Sequence, residues 1–323
     1  MAASPETTPV EWRADLGGQF DSDPHGVADV GMRRGPWTLQ LYTDTLEARV
    51  DASGDAGRSW LALRGELGAA GLMISPWSAG APDPSRALSA SYAGVEGGVI
   101  AFGPAGLYGG GTFTTRGYTF GAMEETAVAV PASRLLVGMD AVVGLYRDHG
   151  HVWVQGGMWG PEPSPHVSVE ATWRPGWWVG PSLEARAGAA RGADELTRVR
   201  LGGLNPYVIP LAGAAWAEWW VDDYAAARVG PAVHLDYAEW GLGVAPFADL
   251  AVFGVAGERR GATGLGGRAE IDRRRLRGEF VVGVAPWIPR QPGVSRVSAW
   301  LRVGLEWGRK TGPLAGANPG QPG

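Results

Sequence analysis

The chain contains no cysteine. Disulfides, thiolate metal sites and cysteine nucleophiles are therefore excluded, and the lack of thiols fits export to an oxidising compartment. Lysine occurs once, as Lys310, among 28 basic residues, and asparagine only as Asn205 and Asn318. That scarcity reads as the bias of a GC-rich genome, so arginine clusters are not taken as phosphate recognition. With a net charge of −5, the chain has no basic footprint and no nucleic-acid partner is expected. No stretch approaches the roughly 18–20 apolar residues that a spanning helix needs. No signal peptide is visible. The start, Met1 to Pro9, is small, polar and Pro-rich, like the stretch after a signal cleavage site. The expectation is that a signal was removed and Met1 added in its place.

What the chain does have is glycine and tryptophan, 52 and 16 residues, with 45% hydrophobic and 19% charged residues among the 323. This is not a disordered composition. Its main pattern is alternation with period two from end to end. Trp12, Ala14 and Leu16 alternate with Glu11, Arg13 and Asp15. Leu46, Ala48 and Val50 alternate with Glu47, Arg49 and Asp51. Val167, Val169, Ala171 and Trp173 oppose Ser168, Glu170, Thr172 and Arg174. Val297, Ala299, Leu301, Val303, Leu305 and Trp307 oppose Ser298, Trp300, Arg302, Gly304 and Glu306.

A soluble sandwich or a ligand-binding barrel would also alternate. Three features favour the inverted arrangement of a membrane barrel. The charged face carries both signs on one strand, as paired ladders in a wet lumen require. The apolar face is rich in Ala, Val and Gly, which lipid tolerates better than a close-packed core does. Many Trp fall near strand ends, at 37, 60, 77, 159, 177, 178, 219, 240, 287 and 307, as in an aromatic girdle. The fold class expected is all-β: a single antiparallel up-and-down transmembrane β-barrel.

Candidate strands lie near 10–20, 37–52, 58–74, 89–103, 106–119, 133–147, 151–159, 165–174, 177–190, 195–203, 218–235, 240–254, 264–273, 275–287 and 295–308. Parity flips between Thr43 and Leu46, which marks either a bulge or a turn at Asp44-Thr45. The set is odd in number, whereas a closed barrel of this kind needs an even one. Fourteen strands are favoured, within a range of twelve to sixteen. The segments 21–36, 75–88, 120–132, 204–217, 255–263 and 288–294 are expected at the outer end. The barrel is assigned to 10–308, with a flexible segment at 1–9 and a Gly/Pro-rich tail at 309–323.

The expected lumen lining is charged. It comprises Arg13, Asp15, Glu47, Arg49, Arg64 and Glu66 in the first third, and Glu170, Arg174, Glu184, Arg186, Arg198 and Arg200 in the middle. Arg268, Glu270, Arg277, Glu279, Arg302 and Glu306 complete it. Rows such as Arg198 with Arg200 would favour anions unless acidic partners cancel them. Arg147-Asp148-His149-Gly150-His151 has metal-ligand residues, but it is also what a tight hairpin demands. Arg273-Arg274-Arg275 reads as a solvated turn. His166, Ser168 and Glu170 share a strand face, about 6.5–7 Å apart in steps of two residues, too far for a hydrolase triad along one strand. An enzyme is not expected, nor any cofactor or metal. The segment Leu201 to Pro210 is apolar and rich in breakers; it is expected to fold inward, pack on the rim or touch lipid headgroups.

Over most of its length the pattern resembles bacterial outer-membrane β-barrel proteins of porin-like kind. The final strand, Val297 to Trp307, is similar to their closing assembly signal, although sixteen residues, Gly308 to Gly323, follow the aromatic here. They are either a native tail or an addition. Leu201-Gly202-Gly203 before a long loop, followed by Glu218 to Arg228, resembles the barrel of the outer-membrane assembly-factor superfamily. That superfamily carries an Arg-Gly-aromatic motif in a late inward-folding loop, whereas Arg116-Gly117-Tyr118 lies early. The resemblance implies an outer-membrane location and lipid contact. It also implies one of three roles: a pore for small solutes or ions, a structural or assembly partner without an open pore, or a lipid-modifying barrel enzyme.

Overall fold

The structure, a computed structural model, describes residues 10–21, 25–44, 48–55, 59–73, 87–121, 133–161, 163–174, 179–191, 199–204, 208–215, 218–255, 257–288 and 295–307, with side chains excluded at 44, 55–92, 118, 120–121, 133–134 and 220. The segments expected at 1–9 and 309–323 lie outside these residues.

The strands are β1 (Val10–Phe20), β2 (His25–Arg34), β3 (Trp37–Asp44), β4 (Ala48–Asp55), β5 (Ser59–Met73) and β6 (Ala87–Phe102). There follow β7 (Leu107–Gly121), β8 (Ser133–Arg147), β9 (Gly150–Gly160), β10 (Ser164–Trp173), β11 (Val179–Ala190), β12 (Val199–Leu201) and β13 (Trp219–Val221). The last are β14 (Asp223–Tyr237), β15 (Trp240–Val255), β16 (Glu258–Arg273), β17 (Leu276–Trp287) and β18 (Val297–Trp307). All except β12 and β13 form one closed antiparallel barrel in chain order, with β1 paired to β18.

The barrel thus has sixteen strands, not the favoured fourteen. Three departures take the fifteen candidate strands to sixteen. The run 37–52 is two strands, with Thr43 opposite Ala48, so the parity flip is a hairpin turn and not a bulge. The stretch expected to be the loop 21–36 is largely β2. Its outward positions Gly26, Ala28 and Val30 are small, and its inward Val27 is apolar, so the alternation is blurred. Finally, of the stretch 195–203 the described part holds Val199–Leu201, which is not a wall strand but pairs with β13 in a separate two-stranded sheet.

An even strand number puts both ends of the barrel chain on one side. Connections on that side are short, among them Gly35-Pro36, Asp148-His149, Ala238-Glu239 and Arg274-Arg275. Ala238 and Arg274 take positive φ of 54° and 48° there, as primed hairpin turns require. Asp148 and His149 are therefore turn residues, as are Arg274 and Arg275. The strand ends that bound the longer connections, including 74–86, 122–132, 191–222 and 288–296, all lie at the opposite end.

Among the described side chains the outer face is apolar and exposed. Leu16, Met139, Val143, Val244 and Leu250 are each more than half exposed. A protein in water does not keep such a continuous apolar belt uncovered. A closed barrel satisfies every ladder hydrogen bond internally, so hydrocarbon can cover the belt at no cost to the backbone. Trp37, Trp287 and Trp307 lie on this outer face. Trp159 and Trp219 do not, which corrects their assignment to the girdle: one faces the lumen against His166 and the other is buried inside the barrel. Trp60, Trp77, Trp177 and Trp178 fall outside the described side chains.

Candidate functional site

The inward face of the wall carries paired charges. Arg13 donates to Asp29 at 2.6 Å and lies 3.0 Å from Asp15, and Asp15 also pairs with Arg302 at 2.9 Å. Arg49 pairs with Asp51 at 3.0 Å and covers the Tyr42 ring. Arg186 pairs with Glu170 at 3.2 Å. Glu184 joins Arg174 and, at 4.0 Å, Arg268. Arg268 also reaches Glu270 and, at 2.9 Å, Glu279, while Arg277 reaches Glu306 at 3.5 Å. Opposite charges on adjacent strands hold one another in place, and acidic partners offset the basic rows. Arg200 does not belong to the wall; it sits on β12. Glu47 and Arg198 lie outside the described residues, as do the side chains of Arg64 and Glu66. The register places Glu66 opposite Arg49 and Arg64 opposite Asp51.

The connection between β11 and β14 enters the barrel. Leu201, Leu204, Val208, Ile209, Leu211, Ala212, Ala214, Trp219 and Val221 are all buried. Within the segment, β12 pairs with β13, and Gly202 N–H donates to Ile209 O at 2.9 Å while Leu211 N–H donates to Gly203 O at 2.8 Å. One face packs on Ala251, Phe253 and Val255 of β15, Ala262 of β16 and Ala285 of β17. The other gathers with Val27, Tyr42, Phe247, Val281 and Trp300. Wall side chains anchor the segment's backbone. Gln19 accepts from Leu204 N–H at 2.8 Å and donates to Ala214 O at 3.4 Å. Ser298 Oγ accepts from Gly213 N–H at 2.9 Å. Asp249 accepts from Ala212 N–H at 2.7 Å and from both Nε and Nη2 of Arg228, at 2.7 and 2.9 Å.

Small residues make this approach possible. A Cβ on Gly283 would lie 2.4 Å from the Ala212 Cβ, and one on Gly264 would lie 2.7 Å from the Ala212 carbonyl oxygen. Gly213 takes φ +76°, where an added Cβ would sit 2.1 Å from Ala285 N. Of the alternatives open for Leu201 to Pro210, the structure shows the inward fold. The segment holds no Arg-Gly-aromatic triplet: its inward glycine stands between Ala212 and Ala214, and Arg116-Gly117 is part of the β7 wall.

Across the lumen, β7 to β11 carry polar and aromatic groups. His166 Nε2 lies 2.6 Å from Asp140 Oδ1, reaching across β9 at Gly157, where a side chain would collide with Asp140. The hydroxyl of Thr172 and His151 Nδ1 are 2.8 Å apart, and His151 Nε2 is 3.4 Å from Glu170. His151 is thus brought to a carboxylate on the adjacent strand and His166 to one two strands away, as spacing along one strand could not show. Among the described residues Ser168 joins neither cluster, and no group of three or more metal-ligating side chains occurs.

Sequence reasoning missed Gln19, Asp29, Asp140, Arg228, Asp249 and Ser298. For Asp249 a signal existed: it is the only charge in the apolar run 240–254. A lone carboxylate there has to be paired or bound by N–H groups.

An apolar outer belt, a charged inner wall and a closed sixteen-stranded sheet define a transmembrane β-barrel, and fold and belt together are those of a bacterial outer-membrane protein. No protein-family model and no curated protein matches the sequence. Among solved structures the chain is similar to BamA from Haemophilus ducreyi lacking POTRA domains 1–3, at 9% identity and a TM-score of 0.66, over 93% of this chain and 70% of that one. It is similar to CdiB from Escherichia coli, at 11% and 0.65 over 94% and 64%, and to CdiB from Acinetobacter baumannii, at 12% and 0.63 over 92% and 60%. The chain spans less than two thirds of either CdiB chain. At these identities the likeness is one of fold.

Proposed function

We propose that the chain is an outer-membrane channel for small polar solutes, narrowed by its own inward segment. A sixteen-stranded barrel is too wide for its wall side chains to fill. The observation that carries the reading is the one-sided position of the segment. Among the described residues, the wall side chains gathered with it belong to β1–β3 and β14–β18, and the polar arc from β7 to β11 faces it across the lumen. Paired charges along that arc suit hydrated solutes without a strong preference for either ionic sign. Conductance of the refolded protein in planar bilayers tests this. Small discrete channels are expected, and replacing 199–221 by a short Gly/Ser linker should enlarge them. Silence from both proteins would overturn the reading. A structural or assembly partner without an open pore is the second reading. It is favoured by Gln19 and Ser298, which fix the segment to both sides of the β1–β18 seam. That reading expects a second envelope protein to co-purify.

A further inference from the structure

The polar arc carries indole rings that neither lipid nor the inward segment accounts for. On β9, Trp153, Gln155 and Trp159 occupy inward positions, while Val152, Val154 and Met158 face outward. Glycines on β8 let rings lie flat on the wall. A Cβ on Gly138 would be 2.7 Å from the Trp159 ring, and one on Gly144 would be 2.3 Å from the Tyr108 ring. Trp159 also stacks on His166, with centroids 5.6 Å apart and planes 30° apart. The register sets Tyr108, Gly144, Trp153, Glu170 and Arg186 in one lateral row. Glu170 is held by Arg186 at 3.2 Å and faces His151 at 3.4 Å. The hydroxyl of Tyr108 is buried and has no hydrogen-bond partner among the described residues.

We propose that this arc is a binding track for neutral oligosaccharides, which gives the solute class for the channel reading on which it rests. A pyranose ring has an apolar C–H face and a rim of hydroxyls. Flat aromatic rings match the face, and carboxylate, guanidinium, amide and phenol groups match the rim. Because Glu170 and Arg186 already neutralise each other, they offer oriented hydrogen bonds and not a counter-ion, which favours uncharged sugars over organic ions. Trp153 and Trp159 are six residues apart on one strand, about 20 Å at ~3.3 Å per residue, a span that holds several sugar units.

Saturation-transfer NMR on the full chain in detergent tests the track without requiring conductance. The probes are maltohexaose and cellohexaose, with triglycine as the control. Transfer to the C–H protons of at least one hexaose, and none to triglycine, is expected. Trp153→Ala and Glu170→Gln should each weaken that binding at least tenfold, while lipid-facing Trp12→Phe leaves it unchanged. A heat-shift gel reports whether each variant is folded. If Trp153→Ala does not fold, Trp153→Phe replaces it, with a loss of about threefold expected from its smaller ring. No transfer to either hexaose, equal transfer to triglycine, or undiminished binding in folded Trp153 and Glu170 variants would each overturn the inference. Conductance without sugar binding removes the track and keeps the channel. Sugar binding without conductance keeps the track and removes the channel.

Discussion

β15 and β10 present the same kind of apolar face to lipid, yet their inward faces are opposites. β15 turns Phe247, Ala251, Phe253 and Val255 inward around one carboxylate, Asp249. β10 turns Ser164, His166, Ser168, Glu170 and Thr172 inward. The difference follows from what lies over them. Under the inward segment the lumen face is a dry interface, so it is apolar and each of its polar groups is engaged, as Asp249 is by Arg228 and Ala212. Across the lumen the wall keeps the polar and paired groups of a wet surface. A single barrel therefore follows two burial rules on its inside.

The largest expected effects come from the covered arc. Phe253→Ala should cost ~3–5 kcal/mol, as deletion of a fully buried aromatic does. Asp249→Ala should cost about as much, ~3–5 kcal/mol, because it strands a guanidinium that is only 12% exposed and orphans an N–H. Urea unfolding in detergent, followed by tryptophan fluorescence, measures both. Losses below ~1 kcal/mol would show that the interface is not dry. Gly213→Val comes next. A β-branched residue at φ +76°, pressed on the backbone of Ala285, carries strain of about 1–3 kcal/mol before any clash is counted. Limited proteolysis should then cut within 199–221, where the parent resists; equal resistance would mean that the segment does not depend on this contact.

The bare arc should respond weakly to the same measurement. Trp153→Ala is expected to change unfolding stability by only about 0.5 kcal/mol, as at a solvated surface. A loss as large as that of Phe253→Ala would erase the contrast between the arcs. The smallest effect is expected for Arg174→Ala, whose side chain is 54% exposed beside Glu184. It should cost less than ~1 kcal/mol and fade as salt is raised.

Legibility in the sequence divides along the same line. Strands with a wet inner face, such as β10, were visible because apolar and polar positions alternate cleanly. β2 was hidden because its outward Gly26 and Ala28 are small and its inward Val27 is apolar, gathered with Leu204 and Val208, so the alternation is blurred. Among the described residues, Trp159 and Trp219 of the expected girdle are interior, and nothing near them in sequence announces it, since an indole suits an interface, a stacking site or a core equally.

Period-two alternation, taken with both charge signs on one face, small apolar residues on the other and Trp near strand ends, determined an all-β membrane barrel with charges inside, because lipid and lumen act on alternate side chains of every strand. The strand count, the seat of the segment 199–221 and the meeting of His166 with Asp140 or Arg228 with Asp249 were decided only in three dimensions. These contacts join residues on different strands or loops, and their geometry depends on closure of the sheet, which no local pattern records.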